Sequence, residues 1–427
     1  WRTELTLFNA GSEGTNVTLL HVPGAGGSVQ SRAIFVAPRQ TVAYANALRD
    51  VFGMSSGAGA IAIEATGATA TPLLKVTSRT FNDAPGGTYG LAVPDVDPSD
   101  LKQTLYITGM TANADYRTNI GFVNRSSSPV SAALTLFETG GGVVASGTIT
   151  VPPTSFQQDT LAAFFPAVAG RTLTGLSMRI SASAANALSA YASVVDNRTH
   201  DPLYISATPL PTRREAIVPV VGRSPGANGT FWRSDVTIFN PGGGWLSVNL
   251  RYGGKTKSLF LTANETVVIA DIVQAMGFES GTGTLVASWD NSTGAIITTR
   301  NYTPAPGGGT FGQSIDPAAS FTTETYVTGL RSDSSFRTNL GFVNGGTSPI
   351  AVQLTLIGAS GTQLSTASLS LNPDQLVQSS VATLFPGVDA ATLGSFTLHA
   401  QADATGLFAY GSVIDNGSGD PVFFGGR

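Results

Sequence analysis

The stretch FRTNLGFVN, at residues 336–344, decides the fold because related stretches occur three more times in the chain. They are WRTELTLFN at 1–9, YRTNIGFVN at 116–124 and WRSDVTIFN at 232–240. Each has an aromatic residue, an arginine, a Thr or Ser, alternating apolar positions and a final asparagine. Such alternation is typical of a half-buried β-strand. Four copies at domain spacing indicate either a site used four times or a fold built four times.

The same order of elements follows each copy, most clearly the last one. AVQLTLIG and TASLSL alternate as strands and are separated by GASGTQ, which has the composition of a turn. In NPDQLVQSSVATLFPG, the apolar residues Val377, Val381 and Leu384 have helical spacing before a proline. This segment therefore predicts a short helix. SFTLHAQ, LFAYGSVIDN and PVFFGG then predict three more strands.

The repeats alternate in type. The first and third share the ending APGGTYG or APGGGTFG, whereas the second and fourth share SVVDN or SVIDN followed by DP. About seven short strands in roughly 100 residues are typical of a β-sandwich. We therefore predict an all-β protein of four tandem immunoglobulin-like sandwiches in an A-B-A-B order, each with one short helix. The predicted domains are A1 (1–96), B1 (104–206), A2 (215–317) and B2 (324–427). A single propeller is the competing architecture, but its blades of about 40–50 residues are too short for this period.

Composition excludes several classes of function. The formal net charge of −4 leaves no large positive field to hold nucleic acid or an anionic membrane. The chain has no cysteine, which excludes thiol chemistry, disulfides and cysteine-based zinc sites. No run of about 18 apolar residues occurs, so no membrane span is expected.

One strand position in A1 has no counterpart in the sequence. A strand precedes the repeated motif in B1, A2 and B2, namely TLYITGM, AIVPVVG and TYVTGLR, but the sequence begins at Trp1. An exposed strand edge can pair with another chain, and head-to-tail pairing of this kind produces filaments. A late start of the sequence explains the observation equally simply. The predicted subunit contacts lie in the first and last strands, at Trp1, Arg2, Leu5, Leu7, Pro421, Val422, Phe423 and Phe424.

Four segments carry a resemblance to known proteins. FWRSDVTIFNP, FRTNLGFVN, TTRNYTPAPGGGTFGQ and YASVVDNRTHDP resemble tandem repeat modules of exported bacterial surface proteins, a largely uncharacterised family. The resemblance covers nearly the whole chain. It implies a β-sandwich fold and an extracellular or cell-surface location, and it implies no enzymatic activity.

No arrangement of residues in the sequence predicts catalysis. The histidines, His21, His200 and His399, occupy different places in their repeats, and none recurs in a sister repeat. GMSSG, at 53–57, matches the G-x-S-x-G pattern of hydrolases, but a predicted helix precedes it and a strand follows, the reverse of a nucleophile elbow. A helix C-cap explains this glycine better. The sequence therefore predicts that the protein is not an enzyme.

Two loops contain the oxygen ligands that calcium prefers. DNRTHDP contains Asp196, Asn197 and Asp201, and DNGSGDP contains Asp415, Asn416 and Asp420. The alternative is a hairpin in which these side chains cap the turn, and this is favoured because A1 and A2 have APGG in the same place. PDVDPSD, with Asp95, Asp97 and Asp100, is a similar weak calcium candidate. No other cofactor is expected.

Two function hypotheses follow. The first is a structural protein of the bacterial exterior that assembles with copies of itself into a filament or surface layer. The second is an adhesin or carbohydrate-binding accessory module with a surface glycan as partner, which exposed aromatics among Trp245, Trp289 and Tyr302 would favour. In either case, the arginine and final asparagine of the repeated motif are expected to brace a strand end and its turn.

Overall fold

The computed structural model describes residues 1–67, 73–84, 86–290 and 293–427, together with the backbone but not the side chain of Asn228. Nearly all regular elements are antiparallel strands, and the predicted all-β fold of tandem sandwiches is confirmed. The described chain contains four α-helices, one in each repeat. They are α1 (Ala47–Phe52), α2 (Leu161–Phe164), α3 (Ile272–Ala275) and α4 (Val381–Leu384).

The described residues of A1 form seven strands in two sheets. Their orders are β4-β1-β6-β7 and β3-β2-β5. The strands are β1 (Arg2–Asn9), β2 (Thr15–Pro23), β3 (Gln30–Val36), β4 (Thr41–Tyr44), β5 (Gly59–Gly67), β6 (Leu74–Ala84) and β7 (Gly87–Val93).

B1 contains eight strands in two sheets of four, in the orders β11-β10-β13-β8 and β12-β9-β14-β15. The repeated motif is β9, at the centre of the second sheet. The strands are β8 (Thr104–Ala112), β9 (Tyr116–Asn124), β10 (Val130–Phe137), β11 (Val143–Val151), β12 (Ser155–Thr160), β13 (Leu173–Ala182), β14 (Leu188–Asp196) and β15 (Pro202–Ser206).

A2 has the same arrangement with one difference. The end of its first strand pairs antiparallel with the start of its second, through Ser224–Trp232 and Pro225–Phe231, and this pairing joins the two sheets. The strands are β16 (Glu215–Pro225), β17 (Phe231–Phe239), β18 (Leu246–Tyr252), β19 (Lys255–Leu261), β20 (Thr266–Ile269), β21 (Gly281–Trp289), β22 (Ile296–Pro304) and β23 (Thr310–Ser314).

B2 repeats the B1 arrangement, in the orders β24-β29-β26-β27 and β28-β25-β30-β31. The strands are β24 (Glu324–Ser332), β25 (Phe336–Asn344), β26 (Ile350–Gly358), β27 (Gln363–Leu371), β28 (Leu376–Ser380), β29 (Gly394–Ala402), β30 (Leu407–Asp415) and β31 (Pro421–Gly425). Apolar side chains from both sheets, such as Leu340, Leu354 and Leu398, form its core.

The predicted helix in 372–387 is only partly correct. Residues 376–380 form β28, which pairs with β25 through Val377 and Phe342, and the helix is the single turn that follows. Val377, Val381 and Leu384 match helical spacing because a strand and a helical turn meet between them. Pairing along the edge of the sheet satisfies the backbone of the first half and overrides that local pattern.

The chain divides into two compact units. Unit 1 comprises Trp1–Val22, Ser28–Asp95 and Ala318–Arg427, and unit 2 comprises Pro23–Gly27 and Val96–Pro317. Unit 1 therefore combines most of A1 with B2, the two repeats at opposite ends of the sequence. Unit 2 combines B1 with A2, which are neighbours in sequence.

Candidate functional site

The final asparagine of the repeated motif braces a strand end in every repeat, as the sequence predicted. Asn344 is fully buried, and its amide group donates hydrogen bonds to the carbonyl oxygens of Ser348 (2.8 Å) and Leu371 (3.1 Å). Its own carbonyl oxygen accepts from the N–H of Gly346 (2.8 Å). The equivalent residues Asn9, Asn124 and Asn240 make the same three kinds of contact. These asparagines therefore satisfy backbone groups at a turn and a strand end that would otherwise be buried unpaired.

The arginine of the motif lies at the other end of the same strand. In B2, Arg337 donates to the side-chain oxygen of Asn416 at 2.8 Å, and in B1 Arg117 does the same to Asn197. In A1, Arg2 pairs with Asp83, and in A2 Arg233 lies 3.7 Å from the carboxylate of Asp271. Each arginine thus ties the strand to a neighbouring loop, strand end or helix cap, which confirms the expected bracing contact.

The first candidate calcium loop connects the two repeats of unit 2. One carboxylate oxygen of Asp196 accepts from the backbone N–H and the hydroxyl of Thr310, at 2.9 and 3.0 Å. Asp201 accepts from the N–H of Gly312 at 2.8 Å, and Asn197 is bonded to Arg117 and to the carbonyl of Ala114. The loop is a turn whose acidic side chains hold the start of β23.

The second loop makes the same contacts in unit 1. Asp415 accepts from the N–H and hydroxyl of Thr88 at 2.9 and 2.7 Å. Asp420 accepts from the N–H of Gly90 at 2.8 Å. Asn416 is bonded to Arg337 and to the carbonyl of Ser334. We call each set of three hydrogen bonds, accepted by Asp196 and Asp201 or by Asp415 and Asp420, a carboxylate clamp.

These contacts favour the turn interpretation over calcium binding. The Asp196 carboxylate is held chiefly by N–H and hydroxyl donors, which compete with a cation for its lone pairs. Burial acts to raise the pKa of Asp196, but the hydrogen bonds from Arg198, Thr199 and Thr310 outweigh it, so the pKa lies below its usual value. Across the described residues, no three His, Asp or Glu side chains are grouped closely enough to hold a metal ion.

The third calcium candidate is also accounted for by local contacts. Asp97 caps a short 3-10 turn by accepting from the N–H of Ser99 at 2.8 Å. Asp95 forms an ion pair with Arg427 at 2.6 Å. The acidic residues of 95–100 therefore serve the chain's own backbone and one arginine.

The sheet of A1 that contains β5 has one described strand fewer than its counterpart in B2. In B2, β29 lies between β26 and β24, and its inward residues Phe396, Leu398 and Ala400 are at most 2% exposed. In A1, the equivalent strand β5 has β2 on one side and no described strand on the other. Its inward residues Ile61, Ile63 and Ala65 are only half-buried. We call the side of β5 that faces away from β2 the open edge of A1.

Most of the predicted subunit-contact residues contribute to the fold of their own chain. Leu5, Leu7, Pro421, Val422 and Phe424 are buried. Of the others, Arg2 is half-buried beside Asp83, and Phe423 stacks on Tyr410 with ring centroids 4.9 Å apart. Trp1 remains 59% exposed and packs edge-on against Tyr89. Both chain ends that were expected to contact other subunits lie in unit 1, where the termini belong to one compact body.

The histidines have different surroundings. His21 is buried beside Phe52, and burial lowers its pKa. His399 stacks on Tyr326 and contacts Glu324 at 2.7 Å, while His200 adopts a left-handed conformation in the β14–β15 turn. The glycine of GMSSG, Gly53, ends α1 with φ of 69°, as the C-cap interpretation predicted.

The aromatic residues of the second hypothesis do not share one exposed face. Trp245 is 72% exposed, whereas Trp289 is 5% exposed and Tyr302 is half-buried. The exposed aromatic residue nearest to Trp245 in the β18–β19 hairpin register is Phe260. Phe260 is 67% exposed and lies opposite Ser247 in the β18–β19 pair. Side chains two residues apart in an extended segment face the same way, so Trp245 and Phe260 are on one side of this hairpin.

A cavity of about 480 Å³ lies within unit 2, and no sequence pattern pointed to it. Its lining includes Thr111, Asn113 and Tyr116 from B1 and Asp235, Arg300 and Tyr302 from A2. Arg300 donates to the hydroxyl of Tyr116 at 3.1 Å and lies over the rings of Tyr302 and Tyr116. Burial raises the pKa of Asp235, against the opposing effects of the Asp271 N–H and the Arg300 charge. The only sequence signal for this site was a difference between repeats, Thr111 standing where B2 has Arg331.

Comparisons with known proteins leave the family open. No protein-family model and no curated protein matches the chain. One similar solved structure is a tetra-tandem repeat from the extending region of a large adhesion protein, with 12% identity, 97% of this chain and 91% of that chain covered, and a TM-score of 0.12. Another is dimeric latent PorU from Porphyromonas gingivalis, with 10% sequence identity and a TM-score of 0.16. That match covers 82% of this chain and 31% of that chain. Scores this low carry no argument about this chain. No helix in the described part of the chain is long and apolar enough to cross a membrane.

Proposed function

We propose that this chain is a non-enzymatic structural protein of the bacterial exterior, related to the tandem repeat modules that its motifs resemble, and that its copies assemble head to tail. The observation that carries the assembly is the repetition of the carboxylate clamp. Asp196 and Asp201 hold Thr310 and Gly312, and Asp415 and Asp420 hold Thr88 and Gly90 with the same atoms. The chain therefore builds one type of B-to-A contact twice.

The two clamps differ in how their repeats are connected. B1 and A2 are consecutive in sequence, so their clamp forms between neighbours. B2 and A1 are at opposite ends of the sequence. The same contact can therefore form between B2 of one copy and A1 of the next. Each added copy would then continue the A-B-A-B order along a growing assembly. Exchange of an identical contact between copies is a low-cost route to assembly, because it requires no new interface.

The open edge of A1 offers a further contact for such an assembly. The half-buried Ile61 and Ile63 lie where a fourth strand completes the sheet in the other repeats. A strand donated by a second copy would bury them and pair the free backbone groups of β5. This is the strand addition that the sequence predicted for the N-terminal domain.

A pair of engineered disulfides tests the exchange, since the chain has no cysteine of its own. Ser418 donates to the carbonyl of Thr88 at 2.5 Å, so Thr88→Cys with Ser418→Cys is designed to lock the clamp of unit 1. The matched control is Thr199→Cys with Thr310→Cys in unit 2, where Thr199 donates to the carbonyl of Thr310 at 2.8 Å.

The proposal predicts filaments of wild-type protein in electron micrographs at high concentration. Oxidation should prevent filaments in the unit 1 variant, reduction should restore them, and the unit 2 variant should assemble in both states. A wild-type protein that stays monomeric at high concentration would contradict the assembly. Equal assembly of the oxidised and reduced unit 1 variant would show that copies do not exchange this contact.

A second candidate function is adhesion to a surface glycan, and the exposed pair Trp245 and Phe260 favours it. Aromatic rings on one face bury apolar area at low entropic cost and are common anchors at binding surfaces. The test is binding of the protein to a panel of immobilised glycans. Binding that disappears in Trp245→Ala with Phe260→Ala, while the variant unfolds at the wild-type temperature, would support adhesion.

A further inference from the structure

Residues that line the cavity of unit 2 have counterparts at the same repeat positions in unit 1. On the A side, β17 and β22 place Asp235 opposite Arg300 and Arg233 opposite Tyr302. In A1, β1 and β6 place Glu4 opposite Arg79 and Arg2 opposite Phe81. The two A-type walls therefore have the same acid–arginine–aromatic arrangement.

The B-type walls differ in sequence, and three of the differences bear on this place. B1 has Thr111, Asn113 and Tyr116 in TANADY, and B2 has arginine, aspartate and phenylalanine at the same places in RSDSSF. Both segments join the first strand of the sandwich to the repeated motif. Unit 2 therefore carries a short neutral pair where unit 1 carries a long ionic one.

In unit 1, the guanidinium of Arg331 occupies a defined set of contacts. It lies 4.7 Å from the centroid of the Phe336 ring and pairs with Asp333. Burial raises the pKa of Glu4, and the positive charges of Arg79 and Arg331 act against it, so Arg331 acts on this carboxylate. The Arg331 guanidinium thus contacts one aromatic face and one acid, and its charge acts on a second acid, Glu4.

In unit 2, most of those surroundings remain, but the guanidinium does not. Tyr116 provides the ring and Asp235 the carboxylate, and both line the cavity together with Thr111. Arg300 does not take the place of Arg331, because it occupies the position of Arg79. Like Arg79, it lies over two rings and contacts the threonine at the start of the last strand of its A-type repeat.

We infer that the cavity of unit 2 binds a guanidinium group presented by an external ligand, in the place where Arg331 lies in unit 1. The guanidinium stacks on Tyr116 and pairs with the carboxylate of Asp235. Asn113 holds the turn beside it, because its amide oxygen accepts from the N–H groups of Asp115 and Tyr116, both at 2.9 Å. Guanidinium groups suit such a site because they combine stacking on aromatic rings with planar hydrogen bonding to carboxylates. The group could belong to a free small molecule or to an arginine side chain of a partner protein.

The test is titration of the full chain by isothermal calorimetry with four probes. N-acetyl-L-arginine amide represents an arginine side chain, and agmatine represents a small free guanidine. The citrulline amide is a neutral isostere, and the lysine amide carries a different cation. We expect saturable binding of the arginine amide or agmatine with one site per chain and a Kd on the order of 1 mM, as for a small fragment. Tighter binding of the arginine amide than of agmatine would identify a partner's arginine side chain as the ligand, and the reverse would identify a free small molecule. The citrulline amide should bind at least 10-fold more weakly than the arginine amide, since it lacks the charge.

Variants copied from the sister repeats provide matched controls. The variant Thr111→Arg with Asn113→Asp places in unit 2 the same ion pair that Arg331 and Asp333 form in unit 1. It should abolish probe binding and leave the melting temperature unchanged. Arg331→Thr with Asp333→Asn should create a second site and raise the stoichiometry from one to two. Asp235→Asn should weaken binding at least 10-fold.

Three results would overturn the inference: undiminished binding by the Thr111→Arg, Asn113→Asp variant, equal binding of the citrulline and arginine amides, or no saturable heat from either guanidine. The first variant introduces a pair that the chain already accommodates in B2. It therefore keeps the test decisive even if Asp235→Asn fails to fold.

Discussion

The carboxylate of Asp420 accepts a hydrogen bond at 2.8 Å from the backbone N–H of Gly90, a residue 330 positions earlier in the chain. Arg79 lies 3.7 Å from the same carboxylate, and both side chains are almost completely buried. A buried carboxylate is stable only when donors and positive charge surround it. This contact therefore depends on the correct meeting of the two ends of the sequence.

Asp420→Asn should lower the unfolding free energy of unit 1 by about 1–3 kcal/mol. The substitution removes the negative charge that pairs with Arg79 and weakens the hydrogen bond from the Gly90 N–H. Hydrogen exchange followed by mass spectrometry should show faster exchange around Gly90. Asp201→Asn is the matched variant in unit 2, where it should affect exchange around Gly312 instead. Equal effects of both variants on both units would contradict separate clamps.

Unit 2 should lose stability in acid through Asp196. Its folded pKa is depressed, so ionised Asp196 contributes stability above its unfolded pKa of about 3.9, and that contribution is lost as the pH falls through the lower folded pKa. Melting temperatures of the wild type and Asp196→Asn should differ most near pH 7. They should converge below about pH 4. A difference that is constant between pH 7 and pH 3 would exclude this carboxylate as the cause.

Asn344→Ala should cost about 2–3 kcal/mol of unfolding free energy, since it leaves backbone carbonyls at a turn and at Leu371 without their donor. Asn339→Ala, in the same strand but half-buried, should change stability by only about 0.5 kcal/mol. Denaturant unfolding monitored by fluorescence measures both. Similar losses of unfolding free energy in the two variants would mean that any substitution in β25 is costly and that the hydrogen bonds of Asn344 have no special role.

Arg337→Ala should lower stability by about 1 kcal/mol, because its hydrogen bond to Asn416 is partly buried and joins β25 to the clamp loop. Arg117→Ala should cost less stability, because its hydrogen bond to Asn197 in unit 2 is exposed. Probe binding to the unit 2 cavity should remain unchanged in Arg337→Ala, and this separates a brace from a binding residue. A gain in stability would show that the arginine is strained and not stabilising.

The open edge of A1 should accept a peptide with the sequence of residues 216–223, AIVPVVGR, which forms this strand in the sister repeat A2. Binding should slow hydrogen exchange in β5 (Gly59–Gly67) because the free backbone groups become paired. A peptide with Val218→Asp and Val220→Asp is the control, since both valines are buried in A2. Unchanged exchange in β5 at saturating peptide would rule out strand addition there.

Local sequence predicted the strands of the repeats well, because side chains alternate between the two faces of a strand and turns require particular residues. It was less successful at 376–384, where three apolar residues fit a helix equally well. There, β28 pairs with β25, and Val377 opposite Phe342 supports the strand. Periodicity cannot distinguish a strand joined to one helical turn from a longer helix.

The candidate site was less predictable. The oxygen-rich loops around Asp196 and Asp415 were recognised, but a carboxylate that binds a cation and one that accepts from an N–H look the same in sequence. Their partners, Thr310 and Thr88, are 114 and 327 residues away. Contacts at that separation depend on which repeats meet, and no local pattern records this.

The sequence by itself determined the four repeats, their alternating order, and the asparagine and arginine that brace the repeated strand. These features depend on periodicity and on comparison between repeats, which are properties of the chain alone. Only the tertiary structure decided that A1 packs with B2, that the acidic loops act as clamps, and that a cavity lies beside Thr111 in unit 2. These features arise from the packing of distant repeats, in which buried polar groups must find partners in three dimensions.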